Sequence, residues 1–352
     1  SELKNLKKLY GSKRRTRLIE GGDDLIAERN ANMRPNAELQ RKKAFEDLSK
    51  EGKLVVQDNK EVKIISPQVL GKLHLNKNSL LGNEITPIKL ISSIKNQPKI
   101  LVLTKTGKIA LLKWEFAGNQ PGIINKFLPT VLENEEINEI IPLPNNKKQS
   151  LGLLTSDGRF KRLKIEEVID ISGRAASILK LKESVSLEAS LLCNLNDYLI
   201  VVSDIGRVLK IKINEQSLPL MGKLAQGSTL MRLFPEEHIV GAISGNDNED
   251  LILITNNGVI IKHQISALRE SQKGSFGIIG INLKDFRNQK TRVVEIFKNK
   301  QTISIITSQG RNGRIIADDI KEINYSKENN RMMNLNKDEL IKDVIILIEN
   351  NE

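Results

Sequence analysis

Lysine and arginine stand at fixed distances from a recurring glycine in this chain. The glycines are Gly107, Gly158, Gly206, Gly258 and Gly310. The residue after each is Lys108, Arg159, Arg207, Val259 and Arg311, and the fourth after each is Leu111, Arg162, Lys210, Lys262 and Arg314. The sixth is Lys113, Lys164 and Lys212 in three of the copies, and Lys161 adds a further cation to the second. The loops between copies carry Lys72, Arg174, Lys223 and Lys273 beside small residues. Repeated cations are the chemistry of polyanion binding, each neutralising a phosphate and releasing counterions. Residues two apart in a strand share a face, so the fourth and sixth positions are expected to point the same way. Copies set at equal angular steps would join them into a curved cationic track. The competing account, that these charges only blunt sheet edges and solvate hairpins, fits scattered charges better than charges at fixed offsets.

Composition supports the same direction. The 352 residues hold 55 Lys and Arg against 43 Asp and Glu, a net charge of +12, with a pI near 9.5. Aromatic residues are only 3% of the chain, with no interleaved aromatic–basic platform. Stacking on single-stranded bases is therefore disfavoured and contact with the duplex backbone is the remaining reading. Cys193 is the single cysteine, so an intrachain disulfide is excluded and a reducing, cytoplasmic setting is expected. No apolar run approaches the 18 residues or so of a membrane span, and no secretory core is visible at the start. His74, His238 and His263 are isolated, so no metal site is expected. There is no Walker-type loop or nucleophile elbow. Gly274, Gly277 and Gly280 have the wrong spacing for a dinucleotide fingerprint and read as loop and strand entry. Trp114 and Phe116 read as packing residues.

The elements that would position the cations are hairpins. In Leu153–Lys164 an apolar run enters a Ser156-Asp157-Gly158 turn and a basic–apolar run leaves it. The turn glycines follow one another at 51, 48, 52 and 52 residues, and an earlier copy has Lys60 where the others have Gly, 47 residues before Gly107. Each period adds a glycine-bearing loop and one or two further strands. Four short strands in about 50 residues is the arithmetic of a blade, so the expected fold is all-β, a six-bladed pinwheel or propeller-like array of four-stranded blades. Residues 1–53 are expected to hold the end of a helix, a linker and a short helix starting after an Asn36 N-cap, and residues 54–352 the array. A strand precedes every hairpin but the first, while Val344–Ile348 follows the last. That strand is expected to supply what the first blade lacks, so that the ends of the array meet.

Thr-x-x-Gly-Arg/Lys hairpins at this spacing, preceded by Tyr10-Gly11-Ser12-Lys13-Arg14-Arg15-Thr16, resemble the C-terminal DNA-wrapping domain of the type IIA topoisomerase A subunit, as in DNA gyrase and topoisomerase IV. The resemblance implies a six-bladed β-pinwheel that bends duplex DNA around a basic rim and presents it to a cleavage core. It implies no cofactor here, ATP and Mg²⁺ being used by other domains of the family's enzymes. It further implies a B-subunit partner in an A2B2 assembly, a monomeric isolated domain, and a nucleoid-associated cytoplasmic location. Tyr10, Tyr198 and Tyr325 lack the family's Arg-Tyr catalytic context, so DNA cleavage is not expected of this chain. The gyrase Gln-Arg-Arg-Gly-Gly-Lys-Gly box is eroded to Ser66-Pro67-Gln68-Val69-Leu70-Gly71-Lys72-Leu73, with a second echo at Gln272–Gly277. That leaves open a topoisomerase IV-like domain that binds DNA without chiral wrapping. A propeller that holds an acidic protein partner is the alternative from a different class.

Overall fold

Every hairpin closes through the same turn. Gly107, Gly158, Gly206, Gly258 and Gly310 have φ between 76° and 82°, and Lys60 takes 65° in the first copy. In each glycine copy the preceding Thr or Ser does two things. Its carbonyl accepts from the glycine N–H, as Thr155 does from Gly158 at 2.9 Å, and its hydroxyl accepts from the next N–H, as Thr155 Oγ1 does from Arg159 at 3.1 Å. The same hydroxyl bond recurs at Thr104, Ser203, Thr255 and Thr307. These hydroxyls are buried, so the Thr-x-x-Gly signature is a closed set of satisfied polar groups.

The computed structural model describes residues 39–82, 86–118, 120–145, 148–169, 171, 174–280, 283, 291–320 and 334–350. The chain forms two compact units, Ser1–Asp47 and Leu48–Glu352. In the first, residues 39–46 are helical, and the expected Asn36 cap lies outside the described residues. The second is mostly β, six small sheets in a ring with a few short helices between strands.

Blade 1 pairs Lys53–Gln57 with Glu61–Ile65 and Ile88–Ser93. Blade 2 is built from Ile100–Thr104, Lys108–Leu111 and Ile137–Pro142; blade 3 from Ser150–Thr155, Arg159–Lys164 and Leu187–Cys193; blade 4 from Tyr198–Ser203, Arg207–Lys212 and Ile239–Gly245. Blade 5 comprises Asp250–Thr255, Ile260–Gln264 and Val293–Lys298, and blade 6 Thr302–Thr307, Asn312–Ile316 and Ile341–Ile346. In each, the third strand faces the axis, and its second residue is bulged out of the ladder, from Lys89 in blade 1 to Lys342 in blade 6. The inner strands of blades 2 to 6, with Ile348–Asn350, line a cavity of about 520 Å³ that includes Glu139, Glu188 and Glu295.

The outer strand of a blade comes from the next period. Gly122–Ile123 pairs with blade 1, Ala176–Ser177 with blade 2, Ser228–Thr229 with blade 3 and Ile278–Ile279 with blade 4. The first period's Ser79–Gly82 pairs with Asn312–Ile316 of blade 6 and so closes the ring. Ile348–Asn350 adds a parallel strand to Ile88–Ser93.

The ends therefore meet, but not as the strand order predicts. A strand that precedes one hairpin belongs to the blade of the previous hairpin, so blade 1 lacks nothing. Ile341–Ile346 completes blade 6, and only the last three strand residues reach blade 1. The core lies between blades, as in the layer of Leu101, Leu151, Leu163 and Leu179 joining blades 2 and 3. Because both faces are covered, Ser150–Thr155 and Tyr198–Ser203 are buried at every residue. This is why they read as unbroken apolar runs rather than alternating ones.

Candidate nucleic-acid interface

The recurrent cations divide by burial into three groups. Lys161, Arg162, Arg207, Lys210 and Arg314 are buried, between 1% and 6% exposed. Arg162 Nε donates to Leu218 O at 2.6 Å and its Nη2 to Glu215 at 2.6 Å. Lys210 Nζ donates to Ile265 O at 2.7 Å and Leu268 O at 3.2 Å. Arg314 Nη1 donates to Leu73 O at 2.9 Å and His74 O at 3.3 Å, and burial holds its pKa below the usual arginine value. The fourth position after the glycine thus staples a blade to carbonyls of the next period's loop, and in blade 6 that loop is the first period's. Lys161 Nζ donates to Gly222, Lys223 and Ala225 carbonyls at 3.0, 2.6 and 3.0 Å, and desolvation pushes its pKa down to about 8.

This corrects the expected orientation of the fourth position. Arg162, Lys210 and Arg314 point under the neighbouring loop, away from the surface shared with Lys164, because buried loop carbonyls need a donor. Lys161 and Arg207 are likewise turned to internal acceptors.

The second group is half-buried and engaged. Lys108 pairs with Glu135 at 2.5 Å, Lys262 with Asp250 at 3.1 Å, and Arg159 with Asp157 at 3.4 Å and Gly227 O at 3.2 Å. Arg311 Nε donates to Glu339 at 3.0 Å, holding that carboxyl down to about 2. Lys212 Nζ lies 4.1 Å from the Tyr198 ring centroid, and Lys113 is also half-buried. A pattern in the sequence accompanies the pairs. Glu135, Glu237 and Glu339 each stand two residues before an inner strand and bind the cation after the turn glycine of the same blade, Lys108, Arg207 and Arg311. Where the glutamate place holds Thr291, in blade 5, the cation place holds Val259. Blade 3 has Val185 there, and Arg159 turns to Asp157 and the Gly227 carbonyl instead.

The third group, Lys72, Lys164, Arg174, Lys223 and Lys273, is exposed. Four of them lie in loops that deliver an outer strand to the preceding blade. Cations turned to internal carbonyls set where two of these project. Lys161 and Arg159 hold the carbonyls on either side of Lys223 and up to Gly227, while Arg207 donates to Phe276 O three residues after Lys273. Gly227 and Gly277 have φ of 79° and 72° and pass so close to Phe160 O and Val208 O that a Cβ would clash. That explains the glycine that stands directly before each of these two outer strands. Arg232, Lys126 and Lys180 are further exposed loop cations that fixed-offset reasoning misses, because they follow no common offset.

Ser66–Leu73 forms a short helix, Pro67–Gly71, capped by Ser66 Oγ accepting from Val69 N at 3.4 Å. His263 is half-buried with Nε2 2.8 Å from Gly280 O, and Trp114 is buried with Nε1 donating to Pro98 O at 2.8 Å. Among the described residues no three His, Cys, Asp or Glu are grouped to hold a metal, and no helix is long and apolar enough to cross a membrane.

The six-sheet ring is similar in fold to two solved C-terminal domains. The chain matches the solved C-terminal domain of DNA topoisomerase IV with a TM-score of 0.66 over 85% of this chain and 94% of that one, at 16% identity. It matches the DNA gyrase A C-terminal domain with a TM-score of 0.64 over 84% and 99%, also at 16% identity. Residues 153–194, 197–246 and 249–285 match the family described as DNA gyrase C-terminal domain, beta-propeller. Relatives include the DNA gyrase A protein of Ureaplasma parvum, 24% identical over 62% of this chain and 26% of the relative. The DNA gyrase A protein of Aminobacterium colombiense is 21% identical over 97% and 40%. The DNA topoisomerase 4 A protein of Synechocystis is 24% identical over 56% and 23%. The chain thus spans about a quarter to two fifths of the length of these relatives.

Proposed function

We propose that residues 48–352 bind duplex DNA over the outer loops of the ring and bend it, as the non-catalytic DNA-handling domain of a type IIA topoisomerase. One observation carries the reading. Lys72, Arg174, Lys223 and Lys273 are exposed on loops that deliver outer strands, whereas the cations of the fixed offsets are largely committed to internal partners. Bending a duplex of 20–30 base pairs through 40–90° costs roughly 1–6 kcal/mol, which several phosphate contacts offset at moderate salt. In the whole enzyme such a domain would present DNA to a cleavage core, with ATP and Mg²⁺ used elsewhere, a B subunit completing an A2B2 assembly, and a cytoplasmic, nucleoid-associated location.

The test is gel-shift binding of a duplex of about 40 base pairs over a salt series. Wild type should bind with log K falling by about 0.9 per phosphate contact against log salt. Reversing Lys72, Arg174, Lys223 and Lys273 to Glu should flatten that slope by roughly 3–4, whatever the DNA sequence. No binding at low salt ends the reading and favours an acidic protein partner. The Ser66–Leu73 loop, which lacks paired arginines, supports binding without chiral wrapping. Ligation of nicked plasmid should then give unshifted topoisomers, and a shifted distribution would restore the gyrase type.

A further inference from the structure

Blade 4 carries an aromatic feature that the sequence does not reveal. Phe234 and Phe276 are 42 residues apart in the sequence, yet their rings stack with centroids 4.8 Å apart and planes 15° from parallel. They are 47% and 41% exposed. Beneath them the Arg207 guanidinium lies 4.3 Å from the Phe234 centroid and 5.3 Å from that of Phe276. Arg207 is itself buried and paired with Glu237, Nε to Oε1 at 2.8 Å. The same ion pair fixes both backbones, since Glu237 accepts from Phe234 N at 2.7 Å and Arg207 donates to Phe276 O. Two apolar rings are thus held rigidly at the surface, with their ordering cost met inside the fold.

Their position argues for the partner. Phe276 directly precedes Gly277 at the entry to an outer strand, the place that Gln226 holds before Gly227 and Arg174 holds before Ala175 in the preceding loops. Exposed Lys273 lies three residues before Phe276, and exposed Arg232 two before Phe234; exposed Glu236 is the acidic neighbour. A duplex following the loop cations would pass over the rings, with Lys273 and Arg232 close by in the same two loops as phosphate partners. The geometry points to an aromatic wedge: the Phe234–Phe276 pair enters the minor groove, partly unstacks one base step and localises the bend at blade 4. Phe side chains used in this way kink duplexes, and base–aromatic stacking offsets the unstacking cost.

This rests on the DNA-binding reading, and the test separates the two. Phe234→Leu/Phe276→Leu keeps apolar bulk over Arg207 but removes the flat rings; Phe276→Trp keeps a ring and adds a fluorescent reporter. With the duplex of about 40 base pairs, labelled at its ends for energy transfer and carrying 2-aminopurine at successive positions, wild type should brighten the probe at interior steps. The Leu pair should lose that signal, straighten the duplex and bind about tenfold more weakly with the salt slope unchanged. The indole of Phe276→Trp should be quenched by duplex. Unchanged bending in the Leu pair, or no bright step and no quenching, overturns the wedge while leaving binding intact. Failure of wild type to bind at all overturns both.

Discussion

Arg162→Met separates the structural role of a recurrent cation from a phosphate contact. The arginine is 1% exposed. Methionine refills most of its aliphatic volume, so little cavity term is expected. Three hydrogen bonds are lost. The bond to Ser150 Oγ, at 3.4 Å, is long and contributes little. Glu215 is 60% exposed at its side chain and can be hydrated, so its pair contributes less than about 1 kcal/mol. The carbonyl of Leu218, a residue 3% exposed, loses its donor inside the blade 3–4 junction. An orphaned buried acceptor costs about 1–3 kcal/mol. The sum is about 2–3 kcal/mol, which in a unit of this size lowers Tm by roughly 3–5 °C. Calorimetry of Arg162→Met beside Lys164→Met, its exposed neighbour two residues on, gives the comparison, with DNA affinity measured on both. Arg162→Met should melt early and bind duplex normally when folded; Lys164→Met should melt like wild type. A normal Tm for Arg162→Met together with a weakened, salt-sensitive affinity would refute the staple and put Arg162 on a phosphate track.

Four further outcomes follow from the same structure. Lys60→Gly, at φ 65° in the first turn, should stabilise by about 1 kcal/mol, whereas Gly158→Ala, at φ 76° with its Cβ against Met231 O, should cost at least ~2 kcal/mol, both read by urea unfolding. Asn78→Ala removes the bonds from Asn78 to Asp319 (2.6 Å) and to Ile316 N (2.7 Å) that tie the first period to blade 6; it should speed exchange of blade 6 amides with little effect on blade 3. Glu295 lines the inner-strand cavity, its pKa pushed up to about 8 by desolvation and by Glu139 and Asp343, against the opposing pull of Lys89. The folded state then keeps a proton that the unfolded chain releases, so stability should fall by up to about 1.4 kcal/mol per pH unit as pH rises from about 4.5 to 8, and Glu295→Gln should flatten that dependence. Cys193 is buried and its thiol is pushed up to about 12, so a thiol reagent should label it only on the unfolding timescale.

The parts of the fold that were legible in the sequence are those set by local chemistry. Thr-x-x-Gly closes its turn within five residues, so the hairpins and their number could be read directly. The outer strands could not. They are two residues long in four blades, too short for a period-two pattern, and their partners lie in another period. Strand order alone also assigned each inner strand to the wrong hairpin, because an apolar run lying between two hairpins carries no local sign of which one it pairs with. The site was half legible. Fixed offsets marked Arg162, Lys210 and Arg314 as a set but not the direction they face, because their carbonyl acceptors lie 55 or more residues away along the chain. Glu135, Glu237 and Glu339 were discoverable, standing two residues before the inner strands of alternate blades. The Phe234–Phe276 stack was not, since each ring alone reads as an ordinary loop residue.

The borrowed outer strand puts the repeat of the sequence and the blade of the structure out of phase. A chain cut between periods leaves one blade without its outer strand and one loop strand without its blade, so no blade is a separable module. A whole inserted period, by contrast, delivers its outer strand to the blade before it and receives one from the period after it. Duplication of complete periods can therefore lengthen such an array without exposing an edge, while the seam at Ser79–Gly82, whose pairing spans about 235 residues, must re-form at each new circumference. Folding faces the same asymmetry. Neighbouring blades can zip in chain order, but the seam carries the largest loop-closure entropy and should be last to form and first to open.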